Sequence, residues 1–146
     1  MQRRKGFTLI ELLVVIAIIG LLSTLAVVAL NSARKKSRDA KRISDVKQLQ
    51  TALELYFNDQ NSYPAGSSAV LGTGGSYVCL GTAGFGTAGC TGAYMGLVPS
   101  NPTPGATSYI YSQGGSGASY TITFILEGQT GGLASGAHTA SESGIQ

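Results

Sequence analysis

"KGFTLIELLVVIAIIGLLSTLAVVAL", residues 5–30, carries only two charges, Lys5 and Glu11. From Phe7 to Leu30 it is a 24-residue run with one charge. As an α-helix such a run is about 36 Å long, enough to cross a bilayer core of about 30 Å. A secretory signal has a shorter apolar region and a small-residue cleavage site after it. This run is longer and no such site follows, so a transmembrane helix over 7–30 is expected. Glu11 is costly there. A carboxylate at the centre of a membrane helix costs about 3 kcal/mol, and less near an interface. Two uses remain open: the side chain reaches the headgroups, or it waits for a cationic partner.

Outward from this run, charge is unevenly distributed. Residues 1–47 hold all ten Lys and Arg against Glu11, Asp39 and Asp45, a net of +7. Residues 48–146 hold Glu54, Asp59, Glu127 and Glu142 and no Lys or Arg, a net of −4. Such a split points to a basic segment near a membrane, a nucleic acid or an acidic partner. By a tally of flanking cations the C-terminal side of the span would be cytoplasmic. The cysteines argue the reverse. Cys79 and Cys90 are the only two, too few for a zinc site, and a disulfide between them requires an oxidising compartment. The disulfide argument is preferred.

Past Leu30 the helical pattern continues. Ala40, Ile43, Val46, Leu49 or Gln50, Leu53 and Phe57 step by three and four and form one apolar face over 31–60. "NDQNSYP", residues 58–64, then ends the helix with turn formers and Pro64. "RKKSRDAKR", residues 34–42, supplies Arg34, Lys35, Lys36, Arg38, Lys41 and Arg42. Three readings of it stand: anchoring to lipid headgroups, pairing with the acidic C-terminal half of a neighbouring subunit, and nucleic-acid binding. The last is thinly supported, since only Arg38, Lys41 and Arg42 share much of one face.

Nineteen of the 21 glycines lie after residue 60. Glycine-rich chain loses much entropy on ordering and needs sheet pairing or a staple. A Cys79–Cys90 bridge closes such a loop over the near-repeat "CLGTAGFGTAGC", residues 79–90. "SYIYSQ" (108–113) and "SYTITFILEG" (119–128), separated by glycines, predict a hairpin, and Leu133 to Thr139 an edge strand. Residues 61–146 thus form a Gly-rich β domain. The fold class is α+β: a long N-terminal helix whose second half packs on a small antiparallel sheet. The seven tyrosines are read as core and hairpin packing. The one histidine, His138, has no Cys or Ser–Asp arrangement around it. No cofactor, metal or enzymatic activity is expected.

"KGFTLIELLVVIAIIGLL" resembles the N-terminus of type IV pilins and the related pseudopilins of type II secretion. The matching features are a short basic leader, Gly6, then Phe7-Thr8-Leu9-Ile10-Glu11 and an unbroken apolar helix. The resemblance is specific over residues 3–30 and fades in the C-terminal half. It implies that a prepilin peptidase removes residues 1–6 by cutting between Gly6 and Phe7, and that the new Phe7 amine is N-methylated. It also implies that Glu11 meets the cationic Phe7 amine of a neighbour during assembly. An inner-membrane platform protein and an assembly ATPase are the further partners implied. The subunit would wait as a single-pass inner-membrane protein, then enter an extracellular filament serving adhesion, twitching or DNA uptake. Family members often carry a proline further along, where their helix unwinds. This chain has Val27 and Val28 there, so melting near Gly20–Thr24 is only weakly suggested. Two alternatives are kept: a type II secretion pseudopilin, and a membrane-tethered DNA- or glycan-binding module.

Overall fold

The computed structural model describes residues 6–73, 77–104 and 108–146; the leader cations Arg3, Arg4 and Lys5 lie outside the described residues. One helix, α1 (Leu9–Gln60), opens the described fold. The chain divides into two compact units, Met1–Lys35 and Lys36–Gln146.

In the first unit every described side chain is exposed. The helix passes without interruption through Gly20, Ser23 and Thr24. The two hydroxyls turn back onto the helix itself, Ser23 Oγ donating to the Ile19 carbonyl (2.7 Å) and Thr24 Oγ1 to that of Leu21 (2.8 Å). Among apolar neighbours this satisfies both hydroxyls locally.

The second unit contains the core. α1 ends at Gln60, three residues beyond Phe57. Asn61 takes the left-handed conformation (φ 54°) and its N–H bonds the Phe57 carbonyl at 2.8 Å. This is the single-bond C-terminal cap that Asn tolerates better than other non-glycine residues.

The face of α1 that is buried differs in part from the expected apolar stripe. It comprises Asp39, Arg42, Asp45, Val46, Leu49, Ala52, Leu53 and Tyr56. Ala40 is exposed, while Ile43 and Phe57 are half-buried. The true stripe begins with charged residues, which hydrophobic periodicity does not register. It then follows the same three-and-four step through Val46, Leu49, Leu53 and Tyr56.

Five strands form the main antiparallel sheet in the order β1 (Ala69–Val70), β4 (Ile110–Gly114), β5 (Ser119–Leu126), β6 (Gly136–Ser141), β7 (Gly144–Ile145). β2 (Cys79–Gly81) and β3 (Gly84–Gly86) form a separate two-stranded ribbon. The expected hairpin is β4–β5, with Tyr111 opposite Ile122 and Gln113 opposite Tyr120. Along β5 alternate residues Tyr120, Ile122, Phe124 and Leu126 are buried, the period-two pattern of a sheet with one covered face. β6 is an inner strand rather than the edge, because the chain turns once more and β7 pairs outside it. All these buried side chains join one cluster with Val46, Leu49 and Leu53 of α1. Each large side chain so buried contributes about 1.5–3 kcal/mol.

Tyrosines fill much of this core, and three of them place their hydroxyls on fixed acceptors. Tyr109 donates to Asp45 Oδ2 (3.0 Å), Tyr111 to the Pro64 carbonyl (2.7 Å) and Tyr63 to Glu54 Oε1 (2.9 Å). Burial raises the pKa of all three hydroxyls, and a neighbouring carboxylate adds to the rise at Tyr63 and Tyr109.

Candidate assembly site

The helix begins on a reciprocal cap. Thr8 precedes Leu9, the first helical residue, and Glu11 is the third. Glu11 Oε2 accepts the Thr8 backbone N–H (2.8 Å) and the Thr8 hydroxyl (2.7 Å). The Glu11 N–H in turn reaches Thr8 Oγ1 at 3.3 Å. This is the capping box of the pattern Ser/Thr-x-x-Glu. The charge that looks misplaced in the apolar run therefore has an immediate local use: it satisfies a donor that the helix leaves open. The pattern Thr8-Leu9-Ile10-Glu11 is legible in the sequence, yet membrane-cost reasoning alone passes over it.

Gly6 and Phe7 lie just before this cap. Phe7 is 77% exposed, and Gly6 has no neighbouring atom within 4 Å of where a Cβ would stand. From Phe7 to Leu30 the large apolar side chains are all about half exposed or more. This helix is long and apolar enough to cross a membrane.

The basic stretch separates into two sets. Arg34, Lys35, Lys36 and Lys41 are exposed. Arg38 and Arg42 are not available to headgroups or phosphates. Arg38 grips Glu127 with both ends of its guanidinium, Nε to Oε1 at 2.7 Å and Nη2 to Oε2 at 2.5 Å. Arg42 is fully buried. It contacts Asp39 Oδ1 (2.6 Å), Glu127 Oε1 (2.8 Å), Asn101 Oδ1 (2.7 Å) and the Pro102 carbonyl (3.1 Å). Asp39, also fully buried, accepts the backbone N–H of Glu127 (2.9 Å) and of Gly128 (2.8 Å). The shared face of Arg38, Lys41 and Arg42 proposed for nucleic acid is thus broken up.

These four charges sum to zero, and nearly every polar atom has a partner. Such a cluster adds little net stability over apolar packing but strongly penalises misplacement of either strand of chain. It locks the helix to the turn after β5 and to the proline-punctuated 97–104 connection. The Arg38 hydrogen bonds, and then those and the charge of Arg42, hold the Glu127 carboxyl at about 2, well below its usual range. Sequence reasoning missed Asp39, Asn101 and Glu127 as one unit, since Glu127 lies 89 positions from Arg38.

The cysteines do form a disulfide, Cys79–Cys90. It closes the glycine repeat against the β2–β3 ribbon. A Cβ on Gly81 would stand 2.6 Å from the Thr91 carbonyl oxygen, and one on Gly86 2.9 Å from Cys90 Sγ. The repeat is glycine at those two places because the bridge crosses directly over it. Among the described residues no group of three or more His, Cys, Asp or Glu could hold a metal ion. His138 packs on Phe124, and its ring nitrogens face the carbonyl oxygens of Ala134 (2.8 Å) and Gln146 (3.1 Å).

Residues 1–27 match the family model described as the prokaryotic N-terminal methylation motif. The chain bears this motif. Beyond it, a type II secretion system core protein G of Pectobacterium carotovorum is 43% identical over 63 residues, 43% of this chain and 40% of that one. The chain spans less than half the length of that relative, as it does for other core G proteins matched over the same stretch. The core protein G of Vibrio cholerae is 29% identical over 94% of this chain and 90% of its own. A type IV wide pilus major component of Thermus thermophilus is 39% identical over 51% of this chain and 56% of its own. No solved structure matches significantly. The methylation motif thus stands at the head of an α+β, pilin-like architecture with a candidate membrane helix and one disulfide.

Proposed function

We propose that this chain is a structural subunit of a type IV pilus-like filament. It is cleaved between Gly6 and Phe7 by a prepilin peptidase, N-methylated at Phe7 and polymerised through its apolar N-terminal helix. One observation carries this reading. From Phe7 to Leu30 the chain exposes all its large apolar side chains, directly after the exposed Gly6. Such a surface requires lipid first and other helices later. The motif matched over residues 1–27 supports the processing step.

Glu11 has a second partner in this scheme. Methylation leaves the Phe7 amine cationic, and the Glu11 carboxylate, held by Thr8 through Oε2, retains lone pairs for a neighbour's amine. Pairing within an apolar bundle sets axial register, since a subunit out of step leaves a charge buried alone. The subunit waits as a single-pass inner-membrane protein and then enters an extracellular fibre. A platform protein and an assembly ATPase drive the transfer. The work is mechanical rather than catalytic, in keeping with relatives named as pilus and secretion-system components.

A type II secretion pseudopilin is the second reading, favoured by the alignment with the Vibrio core protein G along nearly the whole chain. Electron microscopy of sheared surface material, with N-terminal mass analysis of the subunit, tests both. Long fibres built from chains beginning at methylated Phe7 are expected. Short periplasmic assemblies would select the pseudopilin, and chains still beginning at Met1 would refute both. Glu11→Ala is expected to be cleaved normally and to yield few fibres.

A further inference from the structure

A second charged site lies further along α1. A pocket of about 420 Å³ is lined by Lys47, Gln50, Glu54, Tyr120 and Glu142. Tyr120 lines it, and its buried hydroxyl makes no hydrogen bond of good geometry, only a weak interaction with the Gln50 side chain. The Gln50 amide gives its strong bond to the Ser141 carbonyl at 2.7 Å. A buried phenol so weakly satisfied is uncommon and keeps its oxygen open to a donor. The two carboxylates are also underused. Glu54 accepts from the Tyr63 hydroxyl, and among the described residues Glu142 has a single long hydrogen bond, 3.5 Å from the Tyr120 N–H. Among the described residues Lys47 makes no ion pair, and two carboxylates against one ammonium leave the pocket net negative.

The complementary charge is on the same chain. Arg34, Lys35, Lys36 and Lys41 are exposed and, among the described residues, only Arg38 and Arg42 of the basic stretch form salt bridges, Lys41 interacting with Asp45 at longer range. We propose that the Glu54–Glu142–Tyr120 pocket receives a cationic side chain from the 34–41 stretch of a second copy of this chain. The carboxylates hold the cation by charge-assisted hydrogen bonds, and the Tyr120 oxygen accepts a further one. The two surfaces are different patches of one molecule. Their contact is therefore head-to-tail, the kind that an open helical polymer requires. The inference rests on the filament reading and specifies which faces meet.

The test uses the full chain in a host that assembles it. Glu142 is exposed, so Glu142→Lys leaves the fold intact and should accumulate in the membrane as the parent does. Its yield of sheared fibres should fall about tenfold, the effect of roughly 1.4 kcal/mol per contact. Reversal of one of the four cations (Arg34→Glu, Lys35→Glu, Lys36→Glu or Lys41→Glu) in the same chain should restore most of that yield. Zero-length carboxyl–amine crosslinking of fibres grown from mixed light and heavy chains should join Glu142 or Glu54 to Lys35, Lys36 or Lys41 of another copy. Undiminished fibres from Glu142→Lys, or a loss that no reversal rescues with crosslinks only elsewhere, overturns the proposal while the filament reading stands. A parent chain that makes no fibres overturns both.

Discussion

Arg38 and Glu127 are joined by a two-pronged ion pair across 89 positions of sequence, at 2.7 and 2.5 Å. Around it Asp39 and the fully buried Arg42 complete a neutral cluster. The basic stretch after the apolar segment is therefore partly a fastening to the turn after β5 rather than wholly a surface.

This fastening gives the globular unit an acid-sensitive stability. The Glu127 pKa is about 2 in the folded chain against an ordinary 4.5. A carboxyl depressed on folding stabilises fully above its unfolded value and ceases to do so as pH falls through its folded value. Denaturation of the full chain in detergent micelles, followed by tyrosine fluorescence, should thus show stability declining from pH 4.5 towards 2. Glu127→Gln should be less stable at pH 6 and show a shallower decline. Equal slopes for the two proteins would refute the assignment.

Asp39 is the most demanding member of the cluster. It accepts two backbone N–H groups and one guanidinium N–H while fully buried. Asp39→Ala leaves Arg42 buried without its nearest counter-ion and should cost about 3–5 kcal/mol. Lys41→Ala, on the exposed side of the same turn, should change stability by less than about 0.5 kcal/mol. The denaturant midpoints of the two variants measure the contrast.

Thr8→Ala should fray the start of α1 without altering the rest. Loss of the capping hydroxyl costs about 1 kcal/mol, confined to the first turn. Amide hydrogen exchange at Leu9, Ile10 and Glu11 in micelles should accelerate, with that of Leu49 and Leu53 unchanged. Uniform exchange rates in parent and variant would show that the box does no work in an apolar medium.

The disulfide holds a ribbon with little apolar content of its own. Replacing Cys79 and Cys90 together by Ser should cost about 3 kcal/mol on the chain-entropy account. Limited proteolysis should then cut within residues 82–89. An uncut loop at the parent's rate would mean that the β2–β3 pairing suffices alone.

Much of this was legible beforehand. The Phe7–Leu30 run, the β4–β5 hairpin and the Cys79–Cys90 pairing each depend on neighbours in sequence: apolar length, period-two alternation, and two cysteines closing a short loop. β7 was not legible, because two residues are too few for any periodic signal. The shift of the buried face from Ala40 and Phe57 to Asp39, Arg42 and Tyr56 was not legible either. Burial of a charge follows from the partner it finds, and Glu127 and Asn101 are distant in sequence.

By itself, then, the sequence determined where the chain is greasy, where the helix must stop and which segments pair. These follow from local composition and backbone geometry, which need no distant contact. Only the tertiary structure decided which cations of residues 34–42 turn inward and which remain exposed. It also decided that Tyr120, Glu54 and Glu142 converge on one pocket. Those outcomes depend on which side chains the packed helix and sheet bring within hydrogen-bond reach, and the cost of an unpaired buried charge selects among them.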